Sequence, residues 1–533
     1  MTDDRRHEDI VFRYVLERRA RETPGREFLR FPDEELSWTY ATADAEANRA
    51  ATALLEFGIA AGDVVAVLAD NSSVTLALIF GTTKLGAVVA PLNTALRGDY
   101  LTHAFTVSGA KLLIADEQYL TRLDGVVPGS VCSLVVAGNP EPVPAAVRDG
   151  RSVIGVAELL AGAGPAAPPD PGLRFWQPWA IIFTSGTTGP SKGVLTPYAQ
   201  THAMVAEPML SRLTEADVFL GDMPLFHVSG WLSLASALYL GATDVIYPRV
   251  GVSSFWSRVR DNKITHVTLL TAVIKFLQQG GTQPERTTLR TALIGKAPPG
   301  FEAWRQQAGL ETWYSFFNMT EVSSPLISPD NPQNTASSGR PRPGADVRLV
   351  DDNDIEVSPG QAGELVVRTE LPWELNAGYV GMPDATAAAW RNGWFHTGDL
   401  FRQDADGEYY YVDRVKDSIR RRGENISSYE LEAAVLSHPA VADAAAVGVP
   451  SEYGDDEIKL CLIATPEQPV DPVEIVSYLR PRVPHFAVPR FIEVYEGFPT
   501  TSTGKVRKAA LREDGLARAW DREAAGIRVD RNH

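Results

Sequence analysis

The chain has 533 residues, enough for several domains at about 150 residues each, and its apolar and charged fractions are those of an ordinary soluble globular protein. Its 67 acidic against 50 basic residues leave a formal charge of −17, which disfavours nucleic acid and anionic membrane as partners, so any anionic ligand must be held by locally placed Lys, Arg and N–H groups. Cys132 and Cys461 are too few and too isolated for a zinc cluster or a disulfide framework, and they read as buried thiols in a reducing compartment.

The first residues, MTDDRRHEDI, are charged and carry no apolar segment of signal-peptide length, and no run of about 18 apolar residues follows; a cytosolic protein is expected. From Tyr40 to Asn93, apolar residues at helical spacing (ATADAEANRAATALLEFG) pass through a Gly62-Asp63 turn into β-rich VVAVLA, an apolar helix and VVAPLN. That alternation predicts an α/β fold with a mostly parallel sheet flanked by helices. GAGPAAPPDPG (162–172) reads as an irregular surface connection leading into the next motif.

That motif is TSGTTGPSKG, Thr184 to Gly193, entered from the strand-like run WAIIF. Hydroxyls, glycines and one lysine suit a phosphate chain, because backbone N–H groups, O–H donors and a mobile cation converge on its oxygens. It is not the Walker P-loop: Gly186 and Gly189 are three apart, and Lys192 is followed by Gly193.

Further along, PLFHVSGW (224–231) sets a histidine among aromatics, and FNMTE (317–321) ends in a hydroxyl and a carboxylate. GELVVR (363–368) precedes GWFHTGDL (393–400), which presents an aspartate on what reads as a tight glycine turn. A domain border is expected near YVDRVKD, with a helix starting after a Ser427-Ser428 cap. The tail is βαβ-like: helix ELEAAVLSH, strands AAAVGV and KLCLIA, helix VEIVSYLR, strand RFIEVY and turn-rich PTTSTGKVRK. The last residues, DREAAGIRVDRNH, are expected to fray.

In order and spacing these stretches resemble the motif series of the adenylate-forming superfamily: acyl-CoA synthetases, aryl-CoA ligases, peptide-synthetase adenylation domains and luciferases. The resemblance runs nearly end to end, from LSWTYATADAEANRAA to GKVRK. It implies a large α/β N-terminal domain (1–415) of two sheet-and-helix subdomains plus a small β-barrel, and a small mobile α+β C-terminal domain (416–533), with the site where they meet. It also implies ATP, Mg²⁺ and coenzyme A, used in two steps through an acyl-adenylate.

Carried over by residue, the resemblance gives Thr184, Ser185, Gly186, Thr187, Thr188 and Lys192 to the β- and γ-phosphates. Glu321 goes to Mg²⁺, Thr320 to the α-phosphate, and Asp399 with Arg414 to the ribose, where a carboxylate accepts from two adjacent hydroxyls. Lys505 bridges the acid and the α-phosphate as two anions approach, Lys416 is the hinge, and His227 lies near the acyl and pantetheine passages. Outside this context each has a plainer reading: a solvated lysine, a turn aspartate, a helix-start glutamate, a packed histidine. Trp231, Phe226, Phe316 and Met319 suggest an apolar acyl pocket, although such aromatics are as easily core. Arg420, Arg421 and Arg422 read as a solvated face that could meet CoA phosphates.

The superfamily's amino-acid-activating branch places an aspartate in the motif read here as LFHVSGW, which has none; with GENISS, this favours a CoA-dependent ligase of the carnitine and fatty-acyl branch. The adenine-facing segments depart from the pattern. GKAPP puts Lys296 before Ala297 where a small residue is usual, and Phe317-Asn318 replaces Tyr-Gly. Added bulk there leaves two alternatives open: a half-enzyme that only passes a preformed adenylate, made by a separate enzyme, to CoA, and a silent acyl or adenylate binder. A homodimer, the acid, and a carrier-protein acceptor in place of CoA also stay open.

Overall fold

The computed structural model describes residues 7–184, 191–279, 287–295, 297–298, 300–351, 353–414, 419–421, 424–426, 428–452, 454–466, 468–499, 506 and 508–529. They fall into two compact units: one within Met1–Thr94, Phe105–Phe183 and Gly193–Asp413, the other within Ala95–Ala104, Thr184–Lys192 and Arg414–His533.

In the first unit, β-branched residues build the core of a seven-stranded sheet. Its centre, Val64–Leu68, is parallel to Val88–Pro91 on one side and Leu112–Asp116 on the other. The alanine-rich run forms helix Tyr40–Glu56, capped where the Thr39 hydroxyl accepts the Thr42 N–H. Its small buried residues Ala43, Ala47, Ala50 and Ala51 allow close packing against helix Ser73–Lys84. The connection 162–172 is irregular, and Arg13 straps it down: the guanidinium donates to the Pro168 carbonyl and the Lys84 carbonyl, each at 2.7 Å.

A nine-stranded sheet follows, parallel at its centre (Leu269 opposite Ile294, Leu293 opposite Tyr314) and antiparallel at both edges. In the place of the implied small barrel stands a four-stranded sheet, Ala345–Val350, Ala362–Thr369, Phe395–Gln403 and Tyr409–Arg414, over a core of Val347, Leu349, Leu365, Phe395 and Phe401.

In the second unit, Val441–Pro450 and Asp456–Ala464 pair antiparallel, and helix Pro472–Leu479 returns the chain to the parallel strand Phe491–Tyr495. That helix starts on an Asp471 cap with Pro472 at its first position.

Three expectations are corrected. The terminal segment does not fray through its described length: Trp520–Asp521 pairs with Phe491 and Ile492, and the buried Arg522 guanidinium donates to the Pro489 and Ile527 carbonyls. Of the two thiols only Cys461 is buried, its pKa pushed up to about 12 by burial; Cys132, on a loop, is exposed. Arg421 is not on a solvated face. It is 2% exposed, makes a two-pronged ion pair with Glu457 and donates to the Phe486 and Val488 carbonyls, because a buried charge persists only when paired.

Candidate active site

Strand Thr312–Met319 ends the parallel run, and the chain reverses through Thr320, Glu321 and Val322 into Ser323–Ile327. Ser323 takes the left-handed φ of 63° that the reversal needs, and its hydroxyl donates to the Gln200 and Glu374 carbonyls. Thr320 and Glu321 are buried and held from three sides. The Gln200 amide donates to the Thr320 carbonyl at 2.6 Å. The backbone and side-chain amides of Asn376 both donate to the Glu321 carbonyl at 3.0 Å. The Tyr379 hydroxyl donates to Glu321 Oε1 at 3.2 Å.

Tyr379 and Asn376 sit on a segment zipped to the strand that leaves TSGTTGPSKG. Ala377 N–H donates to the Leu195 carbonyl, Leu195 N–H to Gly378 and Val380 N–H to Gly193, at 2.9, 3.0 and 2.9 Å. Glu321 is therefore tied, through one intervening segment, to the chain just past the glycine-rich loop.

Asp399 lies within strand Phe395–Gln403, not on a turn. Gly398, at a φ of 72° open to few residues but glycine, sits where the pairing register slips between Glu364 and Val366, so the aspartate is aimed by a β-bulge. Glu364 holds the bulge: Oε1 accepts the Gly398 N–H and Oε2 meets His396 Nδ1, both at 2.9 Å. Asp399 is 2% exposed, and its N–H donates to the Thr397 hydroxyl at 3.1 Å.

Phe317 brings the FNMTE and GWFHTGDL motifs together, its ring lying edge-on to Phe401 with centroids 4.9 Å apart. Asn318 Nδ2 donates to the Ser324 hydroxyl at 3.0 Å, and Ser324 in turn donates to the Met204 carbonyl. Met319 packs beside Phe317 on the same apolar cluster.

PLFHVSGW forms a turn leading into helix Gly230–Leu240. A Cβ on Gly230 would lie 2.3 Å from the Pro224 carbonyl oxygen, so only glycine closes this turn. His227 and Phe226 are half-buried, ring centroids 4.7 Å apart. Trp231 is not a pocket residue: it is 1% exposed, donates from Nε1 to the Leu225 carbonyl and lies 4.2 Å from the Trp179 ring. Phe316 likewise belongs to the core, and Ala297 is buried in a neighbouring apolar cluster.

In the second unit, Thr184 ends strand Pro178–Thr184 and Lys192 opens strand Lys192–Pro197; both are half-buried. Between them Ser191 is gripped on both backbone groups. Its N–H donates to Glu430 Oε1, and its carbonyl lies 2.8 Å from His103 Nε2. Arg414 ends strand Tyr409–Arg414. Ser185, Gly186, Thr187, Thr188, Lys296, Lys416, Arg422, Ser427 and Lys505 lie outside the described residues.

Sequence reading alone overlooked Gln200, Asn376 and Tyr379, and gave Glu364 no role. The glycine-containing ELNAGYVG was the only local cue to two of them.

A family model described as "AMP-binding enzyme" matches residues 16–379, and one for its C-terminal domain matches 430–505. A long-chain-fatty-acid–CoA ligase of Mycobacterium tuberculosis is 29% identical over 516 residues, 94% of this chain and 97% of that protein. A feruloyl-CoA synthase of an Amycolatopsis species is 30% identical over 93% of this chain and 97% of its own length. Among solved structures, a double mutant of o-succinylbenzoate CoA synthetase from Bacillus subtilis, bound with its product analogue OSB-NCoA, superposes with a TM-score of 0.82 at 25% identity, covering 95% and 99% of the two chains.

Proposed function

The chain belongs to the AMP-binding enzyme family, and from that membership we infer that it is an acid–thiol ligase, converting a carboxylic acid to its CoA thioester. In the first step a carboxylate oxygen attacks the α-phosphorus of ATP, the bond to the bridging oxygen breaks, and pyrophosphate leaves. In the second the CoA sulfur attacks the acyl carbon, its proton is released, and AMP leaves with the ester oxygen. Both leaving groups are anions, so the protein's task is to hold negative charge without water.

The observation that carries the site assignment is the fixed Glu321. A buried carboxylate, steadied by Tyr379 and joined by main-chain hydrogen bonds to the strand after the glycine-rich loop, suits a Mg²⁺ ion whose remaining ligands are phosphate oxygens and water. When bound, the ion neutralises phosphate charge. In this reading Thr184, Ser185, Gly186, Thr187, Thr188 and Lys192 serve the β- and γ-phosphates, Thr320 the α-phosphate, and Asp399, aimed by its bulge, accepts from the ribose, for which Arg414 is a second contact. Lys505 serves the first step.

The half-enzyme and silent-binder readings are not favoured. The relatives are CoA ligases over nearly their whole length, and two of the three departures are accommodated: Phe317 fills space against Phe401, and the Asn318 amide is used on Ser324. No helix among the described residues is long and apolar enough to cross a membrane. The acid itself we assign only as a class: a largely apolar carboxylic acid, from the fatty-acid and aryl-acid ligases the chain resembles.

Pyrophosphate release with Mg·ATP, CoA and a panel of fatty and aryl acids tests this. Acid-dependent release with thioester formation is expected; thioester from supplied acyl-adenylate, with none from free acid, would reinstate the half-enzyme.

A further inference from the structure

The bulge that carries Asp399 is large. Glu364 lies opposite Leu400 and Val366 opposite His396, so Thr397, Gly398 and Asp399 together face Leu365 alone. The strand ladder cannot satisfy the main chain of such a bulge, and buried N–H and C=O groups need partners. Side chains supply them. Thr397 Oγ1 donates to the Leu365 carbonyl at 2.7 Å and accepts the Asp399 N–H at 3.1 Å, while Glu364 Oε1 accepts the Gly398 N–H at 2.9 Å.

Glu364 is itself held by residues outside the bulge. Its other oxygen, Oε2, meets His396 Nδ1 at 2.9 Å and accepts from Arg391 at 3.1 Å. A carboxylate only accepts, so Nδ1 carries the proton of the first bond. Arg391 also donates to Asp354 Oδ1 at 3.2 Å, and Asp354 accepts from the Asn392 amide and stands 3.8 Å from His396 Nε2. The two oxygens of Glu364 therefore have separate duties: one closes the bulge and the other is fixed by two donors. Of those donors Arg391 is 43% exposed and His396 only 4%. Water competes least with the imidazole, so its bond does most to orient the carboxylate. An imidazole that merely stitched two strands would affect stability alone, but this chain of bonds ends on the residue beside Asp399.

We propose that His396 is a positioning residue for nucleotide binding: it orients Glu364, Glu364 closes the bulge, and the bulge aims Asp399 at the ribose hydroxyls. The proposal rests on reading Asp399 as the ribose carboxylate. Its consequence is selective. Losing the imidazole N–H costs affinity carried by the ribose hydroxyls and spares affinity carried by the base and phosphate.

The test is calorimetric titration of AMP and of 2′,3′-dideoxy-AMP, which lacks both hydroxyls, into the native protein, His396→Phe, His396→Asn, His396→Gln and Asp399→Ala. The native protein is expected to prefer AMP by roughly 10- to 100-fold, the range of a hydrogen bond to a charged group. His396→Phe keeps a ring but removes the donor, and should cut that preference by about two- to tenfold. His396→Asn, whose amide can donate from nearly the place of Nδ1, should keep most of it. A purely structural His396 would weaken both nucleotides equally. An unchanged preference in a folded His396→Phe overturns the proposal, as does a loss in His396→Asn as large as that in His396→Phe. If His396→Phe fails to fold, His396→Gln decides, because its amide extends toward the place of Nε2: a preference below that of His396→Asn supports the proposal and an equal one overturns it. A native protein that binds neither nucleotide, or an Asp399→Ala variant that keeps the native preference, would overturn the ribose reading itself, and the proposal with it.

Discussion

The Tyr379 hydroxyl donates to Glu321 Oε1 at 3.2 Å inside the protein, so the carboxylate assigned to Mg²⁺ is oriented by a residue on a different segment. Tyr379→Phe should keep the ring's packing and remove only this donor. A net hydrogen bond of about 0.5–1.5 kcal/mol to the carboxylate predicts a roughly 2- to 10-fold loss in ATP–pyrophosphate exchange, with thermal stability nearly native. Glu321→Gln should lose far more, because it removes the proposed metal ligand; equal losses would mean that Tyr379 does more than orient.

Asp399→Ala should weaken AMP and acyl-adenylate alike, since both steps hold the same ribose. Glu364→Gln gives the more telling comparison. It leaves Asp399 in place but loosens the bulge by weakening the charge-assisted bond to the Gly398 N–H. AMP affinity, measured by calorimetry, is expected to fall in both variants, and more in Asp399→Ala.

Lys505→Ala should depress adenylation from free acid much more than transfer from a supplied acyl-adenylate, because its proposed partners meet only in the first step. Rates in the two half-reactions, measured separately, check this; equal losses would remove the assignment.

Asn318→Gly, which restores the superfamily's usual residue, is expected to leave Mg·ATP affinity within about threefold while costing roughly 1 kcal/mol of stability for the lost amide–hydroxyl bond. A large gain in ATP affinity would mean that Asn318 blocks the adenine pocket after all.

Asp244 is 0% exposed in the nine-stranded sheet, and burial, with the charge of Asp222 nearby, pushes its pKa up to about 7. The native state therefore keeps a proton that the unfolded chain gives up near pH 4, so stability from this site falls as pH rises between those values. Asp244→Asn should remove that slope and gain on the native protein by a few kcal/mol between pH 5 and pH 8, on the scale of about 1.4 kcal/mol per pKa unit. Urea unfolding at the two values measures it.

The alternation of helix and strand was legible because alanines at helical spacing and runs such as VVAVLA are local signals of each element. The site motifs were legible for the same reason: TSGTTGPSKG and FNMTE concentrate their chemistry in a few consecutive residues. What stayed hidden is long-range. Trp231 and Phe316 look like pocket aromatics in sequence, yet residue type does not say which face of a helix or strand meets solvent, and here both point into the core. Arg421 reads as one of three surface arginines until its carboxylate partner, 36 residues away, is placed beside it. Asn376 and Tyr379 carry no catalytic signature, and their use depends on pairing with Gly193–Leu195 across nearly two hundred positions. The glycine turn at Asp399 is a bulge because its register depends on the neighbouring strand.

The short strand Trp520–Asp521 has a practical consequence. It covers the main-chain edge at Phe491 and Ile492, where the strand Phe491–Tyr495 would otherwise present unpaired donors and acceptors, the template on which chains aggregate. Trimming the chain before Trp520, by protease or by choice of expression boundary, would remove that cover and the Arg522 anchor together. Preparations lacking the last fifteen or so residues should therefore be lost to self-association before any change in catalysis can be measured.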